Sequence, residues 1–157
     1  MIVFGEMGAG KNYWGEKLAK TFNLEFFDGD TVAPPELMER VSTFKPLPRS
    51  MLSNYIHETL TPEILKRAAA SERGIVVAQA LYLNIDRNIL LKYLRSFSFD
   101  VGFYWVQTSV WRNIRQLLTR KNGGRWVAYY LMNKPWFEKP NHQYWTLNDR
   151  AAQLGIY

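Results

Sequence analysis

Residues 1–12 of the chain read MIVFGEMGAGKN, a short apolar run followed at once by a glycine-rich stretch and a lysine. The part from Gly5 to Lys11 fits the pattern G-x-x-x-x-G-K of a phosphate-binding loop. In such a loop, glycines let successive backbone N–H groups turn toward an anion, and the positive end of the following helix points at the same place. The apolar run predicts a strand before the loop, and apolar residues at helical spacing predict a helix after it. We therefore interpret the stretch as a nucleotide phosphate site rather than a glycine-rich turn with an incidental lysine.

The composition is that of a globular protein. With 157 residues, 47% hydrophobic and 22% charged, the chain has the length and polarity of one domain with a core. It contains no cysteine, which excludes disulfides, thiol nucleophiles and cysteine metal sites. The chain enters its first strand without a leader-like segment, and its apolar runs are too short for a membrane span. We expect a cytoplasmic protein without a membrane partner.

The charges are divided unevenly along the chain. Residues 1–63 hold six Lys/Arg and nine Asp/Glu, a net charge of −3, whereas residues 64–157 hold fourteen and five, a net charge of +9. A basic half indicates either a nucleic-acid partner or arginines gathered around a polyphosphate. We favour the polyphosphate, because no aromatic–basic RNA motif is present, and leave nucleic acid open.

Strand-like and helix-like segments alternate along the chain. This order predicts an α/β fold of three αβα layers with a five-stranded parallel sheet. We expect Asn122-Gly123-Gly124 to form a loop within one domain. The predicted strands are Ile2–Phe4, Leu24–Phe27, Gly74–Ala78, Val101–Val106 and Tyr144–Leu147, and the predicted helices are Lys11–Phe22, Pro35–Val41, Ser50–Ser71, Ile85–Ser96 and Val110–Thr119.

Two acids follow the second predicted strand, in Phe26-Phe27-Asp28-Gly29-Asp30. In open α/β sheets the carboxyl ends of the strands face the binding crevice. Alternation in extended chain would place Asp28 and Asp30 on one side. One carboxylate could then hold magnesium while the other meets an acceptor hydroxyl. The alternative is an Asp-Gly-Asp turn with solvated acids.

The order of these motifs resembles that of the gluconate kinase and shikimate kinase group of small P-loop kinases. The shared features are G-x-x-G-x-G-K, Leu-Ala in the next helix, and F-x-D-G-D with prolines just after it. The likeness to gluconate kinases continues in Glu39-Arg40-Val41 before Lys45-Pro46-Leu47, in Ala80-Leu81 before Asp86-Arg87, and in Leu117-Leu118 before Arg120-Lys121. The resemblance implies a P-loop NTPase fold of the nucleoside-monophosphate-kinase-like type, as a single domain over residues 1–157 with a lid at about 120–135.

Carried over residue by residue, the resemblance implies the parts of a nucleotide site. The residues for ATP would be Gly5, Gly8, Ala9, Gly10, Lys11 and Asn12, together with Arg120 as a lid arginine over the transferring phosphoryl group. Asp28 would lie in the Mg²⁺ shell with Asn12, and Asp30 would orient or deprotonate the acceptor hydroxyl. Lys11, Asp30 and Arg120 would thus be the catalytic residues. The loop at 148–150 would lie where this family contacts adenine.

Two features depart from the family pattern. Asn12 stands where a serine or threonine hydroxyl normally ligates magnesium, and its amide oxygen is an acceptable but longer neutral ligand. The acidic run that gluconate kinases carry after their proline-leucine pair is replaced by Pro48-Arg49-Ser50-Met51. Arg40, Arg49 and Arg87 are candidates for an anionic acceptor, with Arg87 preferred.

These observations predict a kinase that uses ATP and Mg²⁺ to phosphorylate a hydroxyl of a small, anionic metabolite. One alternative is a nucleotide-binding protein with weakened catalysis and a regulatory role, which Asn12 would allow. Another is a kinase of nucleic-acid ends, which the basic second half would allow. The expected assembly is a monomer or a homodimer. The aromatic cluster after Arg120, which includes Trp126, would either line an acceptor pocket or pack the lid.

Overall fold

A computed structural model of the chain describes residues 1–140 and 145–147, with no side-chain placement for residues 145 and 147. Strands and helices alternate from the start of the chain. In order they are β1 (Ile2–Phe4), α1 (Lys11–Phe22), β2 (Glu25–Asp28), a 3₁₀ turn (Gly29–Val32), α2 (Pro35–Ser42), α3 (Arg49–Asn54), a π-helical turn (Tyr55–Leu60), α4 (Thr61–Ala70), β3 (Ile75–Gln79), α5 (Asn84–Ser96), β4 (Phe103–Val106), α6 (Val110–Leu118), α7 (Gly123–Asn133), a second 3₁₀ turn (Lys134–Trp136) and β5 (Trp145–Leu147).

The strands form one parallel sheet in the order β2-β3-β1-β4-β5. Residues 1–140 supply four of them, and the short β5 pairs with β4 at the edge. Strand β1 lies centrally, with Ile2 opposite Val77 of β3 and Phe103 of β4. Apolar β-branched and aromatic residues fit this position, because both faces of a parallel sheet are covered by helices. The predicted parallel α/β fold is confirmed.

Alternate residues of β1 enter two separate cores. Ile2 and Phe4 pack with residues from α2, α5 and α7 and from the helical stretch 49–70. Val3 faces the other way and packs with Trp14 and Leu18 of α1. This division follows from the two-residue period of a strand, which sends neighbouring side chains to opposite faces.

The loops that follow the strands meet at one edge of the sheet. The glycine-rich loop follows β1, Asp28 ends β2, and Gln79 ends β3. Because the strands are parallel, their carboxyl ends lie side by side, which is where open α/β sheets form binding crevices.

Most predicted elements agree with the structure to within two residues, and β1 and α1 agree at both ends. The exception is Asn122-Gly123-Gly124, where we predicted a loop and the structure begins α7. A side chain at Gly123 would lie 2.5 Å from the main-chain oxygen of Leu118, so this glycine allows α7 to pack against the end of α6. Tyr144 and the predicted adenine loop at 148–150 lie outside the described residues.

Within the described ranges, no helix is long and apolar enough to cross a membrane.

Candidate active site

The loop between β1 and α1 has the backbone of an anion cradle. Gly8 and Gly10 adopt positive φ angles of 77° and 87°, which side-chain-bearing residues rarely adopt. The space at Gly8 is also tight, because a Cβ there would lie 3.1 Å from the main-chain oxygen of Asn113 in α6. Gly10 is the N-cap of α1 and supplies no side-chain cap. The first N–H groups of α1 are therefore directed toward the space above the loop.

Lys11 begins α1 and bends back over the loop. Its Nζ donates to the main-chain oxygen of Glu6 at 3.1 Å. Desolvation by the surrounding protein lowers the pKa of Lys11; the nearby Asp30 opposes this shift and Arg120 adds to it. A phosphate group above the loop would supply the negative charge that favours the ammonium form.

Asn12 and Asp28 are in direct contact. The Asn12 side-chain amide donates to Asp28 Oδ2 at 2.6 Å, while Asp28 Oδ1 accepts from the backbone N–H of Asp30 at 3.0 Å. The second bond caps the 3₁₀ turn and fixes the Asp-Gly-Asp segment at the end of β2. The two predicted metal-binding side chains are thus adjacent at the head of α1.

Asp30 faces the open space next to the loop. Desolvation raises the pKa of its carboxyl group, Lys11 lowers it, and the neighbouring Asp28 raises it again; the net shift is upward. A carboxylate with a raised pKa holds a proton more readily than an ordinary aspartate, which suits a general base.

Hydrogen bonds from Tyr55 and Gln79, which the sequence analysis did not single out, fix the segment around Asp30. Tyr55, in the π-helical turn, donates its hydroxyl hydrogen to the main-chain oxygen of Gly29 at 2.6 Å. The Gln79 amide in turn donates to the Tyr55 hydroxyl oxygen at 2.7 Å. Mid-helix π-turns often occur at functional sites, but they leave no pattern in the sequence.

One cavity of about 370 Å³ joins the predicted residues. Lys11, Asn12, Asp30 and Arg120 all line it, with Gly8 and Gly10. Arg120 lies between α6 and α7, and its guanidinium stands over the ring of Trp126 at 5.5 Å. The cavity thus has cationic groups and backbone N–H groups at one end and a carboxylate beside them.

The rest of the cavity wall is mostly apolar. Its side chains are Met38, Val41, Ala80, Tyr82, Trp126 and Met7, together with Tyr13 of α1 and the neutral, polar Gln116 of α6. Trp126 is held edge-on against Phe44 and Tyr129, with ring centroids 4.9 and 6.3 Å apart. Trp126 therefore packs α7 against Phe44 and also lines the cavity, and whether it contacts an acceptor stays a prediction.

The three arginines predicted for an anionic acceptor do not line this cavity. Arg87 is fully buried and donates to the main-chain oxygens of Tyr82 and Glu138 at 2.7 and 2.6 Å. Arg49 stands over Trp136, and Arg40 donates to the main-chain oxygen of Pro46. The preferred candidate, Arg87, is therefore placed in the core, where it holds the loop after β3.

Glu6 is a further residue that the sequence analysis did not single out. Its carboxylate accepts hydrogen bonds from Lys134 at 3.0 Å, from the Tyr130 hydroxyl, and from Asn113 at 3.0 Å. Burial, followed by the bond to Glu6, raises the pKa of Tyr130 to about 12. The second residue of the phosphate loop is thereby tied to α6, to α7 and to the turn after α7.

No protein-family model matches the chain, and no curated protein matches it significantly in sequence. Similar solved structures include a gluconokinase from Sinorhizobium meliloti 1021 (20% identity, TM-score 0.73, 94% of this chain and 80% of that one) and an unliganded sugar kinase from Janibacter sp. HTCC2649 (15% identity, TM-score 0.77, 99% and 90%). A third is the APS kinase of Mycobacterium tuberculosis in complex with AMPPNP and APS (16% identity, TM-score 0.62, 99% and 94%).

The chain has the fold of the small P-loop kinases. At these levels of identity the likeness establishes the fold alone.

Proposed function

We propose that the protein is a kinase that transfers the γ-phosphoryl group of ATP to a hydroxyl group of a small molecule. The observation that carries the proposal is the single cavity in which the phosphate loop, Lys11, Asp30 and Arg120 meet. Phosphoryl transfer needs groups that position the phosphates, groups that balance their charge and a group that takes the proton of the acceptor. All three kinds of group line this cavity.

The phosphates of ATP would bind at the loop. Backbone N–H groups around Gly8 and Gly10, the first turn of α1 and the Lys11 ammonium all favour a polyanion at that point. Binding would draw the Lys11 Nζ from the main-chain oxygen of Glu6 to a phosphate oxygen, since a charged acceptor forms the stronger hydrogen bond.

Magnesium fits the oxygen atoms next to the loop. Among the described residues no group of three or more His, Cys, Asp or Glu side chains could hold a metal ion. Mg²⁺ needs no such group, because it binds through one or two protein oxygens together with phosphates and water. Asn12 and Asp28 would hold it, either directly or through water. When bound it would neutralise charge on the phosphate oxygens.

Asp30 would act on the acceptor. In the transfer step the acceptor hydroxyl oxygen forms a bond to the γ-phosphorus as the bond from that phosphorus to the β–γ bridging oxygen breaks. The hydroxyl proton passes to the Asp30 carboxylate, and ADP is the leaving group. The contacts of Tyr55 and Asp28 to this segment limit its movement, and a fixed base is what the transfer requires.

Arg120 would balance the charge that is redistributed over the phosphoryl oxygens. Its position between α6 and α7 lets movement of residues 120–135 carry the guanidinium toward or away from the loop. We retain the proposal that this segment is a lid that closes when both substrates are bound. A protein that only bound nucleotide would need neither Asp30 nor Arg120 at this cavity, so we prefer a kinase to the regulatory alternative.

The decisive experiment replaces Asp30 by asparagine. We expect Asp30→Asn to lower acceptor-dependent ADP formation about 10²–10⁴-fold while ATP affinity, measured by calorimetric titration, stays close to wild type. Glu72→Asn, at an exposed acid away from the cavity, is the control and should change neither quantity. A variant at position 30 with full phosphoryl-transfer activity would refute the assigned role.

The pH profile provides a second test of Asp30. The base must be ionised, and its pKa lies above the ordinary value of 3.8. Activity as kcat/KM should therefore rise with increasing pH through a pKa above 3.8, and this acid limb should vanish in Asp30→Asn. At high pH the activity should fall as Lys11 loses its proton, beginning below the usual lysine value of 10.5 because its pKa is lowered.

A further inference from the structure

The cavity has two ends of different chemistry. Lys11, Asn12 and the backbone of the glycine-rich loop make the first end, where the proposed function places the phosphates. Met38, Val41, Ala80, Tyr82 and Trp126 are the mostly apolar part of the remaining lining, which also includes Tyr13 and the neutral amide of Gln116, and we call them the second end. An acceptor whose hydroxyl meets Asp30 would place the remainder of its body against this second wall.

The cationic side chains of the described cavity lining are Lys11 and Arg120. The proposed function assigns both of them to the phosphates of ATP. A carboxylate on the acceptor would gain no cationic partner at the apolar wall and would be repelled by the ionised Asp30. Removing a charged group from water without a partner is costly.

The arginines that could serve an anionic acceptor are engaged elsewhere. Arg87 is buried with 0% of its surface exposed, and its guanidinium lies over the rings of Phe4 and Phe137 as well as bonding to main-chain oxygens. Arg49 stands over Trp136, 5.2 Å from the ring centre. Bringing Arg87 to the acceptor would require the core to be opened.

We infer that the acceptor is an uncharged alcohol with an apolar body rather than a sugar acid or another anion. The inference rests on the proposed function, since it takes Asp30 as the point where the hydroxyl binds. The apolar wall stabilises such a body by removing its hydrocarbon surface from water. The hydroxyl would be the one polar group that needs a partner, and Asp30 provides it.

The inference can be tested with four acceptors that separate charge from polarity. They are 1-phenylethane-1,2-diol (neutral, apolar body), 3-phenyllactate (anionic, apolar body), sorbitol (neutral, polar body) and gluconate (anionic, polar body). Each is supplied with ATP and Mg²⁺, and phosphorylated product is measured. We expect the neutral diol with the apolar body to have the highest kcat/KM, at least tenfold above gluconate.

Pairs of variants with matched exposure test whether the apolar side chains of the cavity bind the acceptor. Met38 and Ile89 have nearly equal exposure, 41% and 44%, but only Met38 lines the cavity, and Ile89 lies in α5, outside the proposed lid. Met38→Lys should lower kcat/KM for the phenyl diol at least tenfold and raise the relative rate with gluconate, whereas Ile89→Lys should change neither. Trp126→Ala should lower kcat/KM for the diol in the same way, and Trp111→Ala, at a tryptophan with 79% of its surface exposed, should not.

The outcomes for the acceptor and for the kinase are distinguishable. Phosphorylation of gluconate in preference to the phenyl diol, or no phosphorylation of the diol at all, overturns the inference about the acceptor. In those cases the kinase proposal still stands if ATP binds in a Lys11-dependent manner and an Asp30-dependent transfer is seen with an acid. Equal effects of Met38→Lys and Ile89→Lys would likewise show that the apolar wall takes no part in binding the acceptor.

Discussion

The phosphate end of the cavity is made by one continuous stretch of chain, whereas the acceptor end is assembled from separate elements. Residues 5–12 provide the loop, its glycines and the head of α1. Asp30, Met38, Tyr82 and Trp126 come from a 3₁₀ turn, α2, the loop after β3 and α7. The first end depends mainly on backbone N–H groups, which any suitable loop can supply, and the second depends on which side chains tertiary packing brings together. Substitutions can therefore alter the choice of acceptor without altering the binding of ATP, and the reverse.

The largest effect on kcat should come from a substitution at Arg120, which we propose acts where the phosphate and acceptor ends of the cavity meet. Arg120→Ala removes a charge that acts chiefly during transfer, so we expect kcat to fall about 10²–10⁴-fold with a much smaller change in ATP affinity. Single-turnover rates and calorimetric ATP titrations separate the two quantities. Lys121→Ala, at the exposed neighbouring position, is the control. A large loss of ATP binding with kcat preserved would instead assign Arg120 to the phosphate end alone.

Lys11→Ala should affect the phosphate end first. It removes a charge-assisted contact, and we expect ATP binding to weaken by about 2–4 kcal/mol. Lys20→Ala, at an exposed position on the same helix, should leave the affinity unchanged. Binding of ATP by Lys11→Ala with wild-type affinity would contradict the phosphate-loop interpretation.

Glu6→Gln tests the connection between the phosphate loop and α7. A glutamine has one acceptor oxygen where Lys134, Tyr130 and Asn113 all donate to the carboxylate. We expect the free energy of unfolding, measured by urea denaturation, to fall by about 1–3 kcal/mol. Glu16→Gln, at an exposed acid of α1, should cost much less. Equal costs in the two variants would show that the bonds of Glu6 contribute little.

The smallest expected effect is that of Asn12→Thr. A hydroxyl at the start of α1 restores the usual magnesium ligand, although it gives up the amide bond to Asp28. Turnover should stay within about tenfold of wild type or rise, as measured by its dependence on Mg²⁺ concentration. Complete loss of turnover would mean that the contact between Asn12 and Asp28 is itself required.

The phosphate end, formed by one continuous stretch of chain, could be predicted from the sequence more completely than the acceptor end, which is assembled from separate elements. The loop and α1 are encoded locally, so the motif and the helical spacing located Lys11–Phe22 without error. The position of Asp30 at the edge of the cavity could be predicted, because it lies two residues after the end of a strand in a parallel sheet. Arg87 was preferred for the acceptor after the resemblance to gluconate kinases, which includes Asp86-Arg87, whereas in the structure main-chain oxygens and two aromatic rings enclose its guanidinium.

Two other features were not predictable from local patterns. Gly123 and Gly124 are typical of a loop, and only the close approach of α7 to Leu118 explains a glycine in the first turn of a helix. Glu6 occupies a variable position of the phosphate-loop motif, and its three partners are more than 100 positions away in the chain. Contacts at such separations depend on the finished fold and leave no periodic signal.

In the π-helical turn at Tyr55–Leu60, backbone hydrogen bonds span five residues instead of the four of an α-helix. The helical stretch 49–70 therefore contains an extra residue at this turn. Thr61 shows this directly, because its N–H bonds to the oxygen of Ile56, five residues back. Deleting one residue there, such as the exposed Glu58, would let the stretch close into a regular α-helix. Residues before the deletion would then rotate by about 100° about the helix axis relative to those after it. The Tyr55 hydroxyl would then lose its hydrogen bond to the main-chain oxygen of Gly29, and the segment that carries Asp30 would no longer be fixed by it. The placement of the proposed base is therefore set by a residue count in a helix more than twenty positions further along the chain.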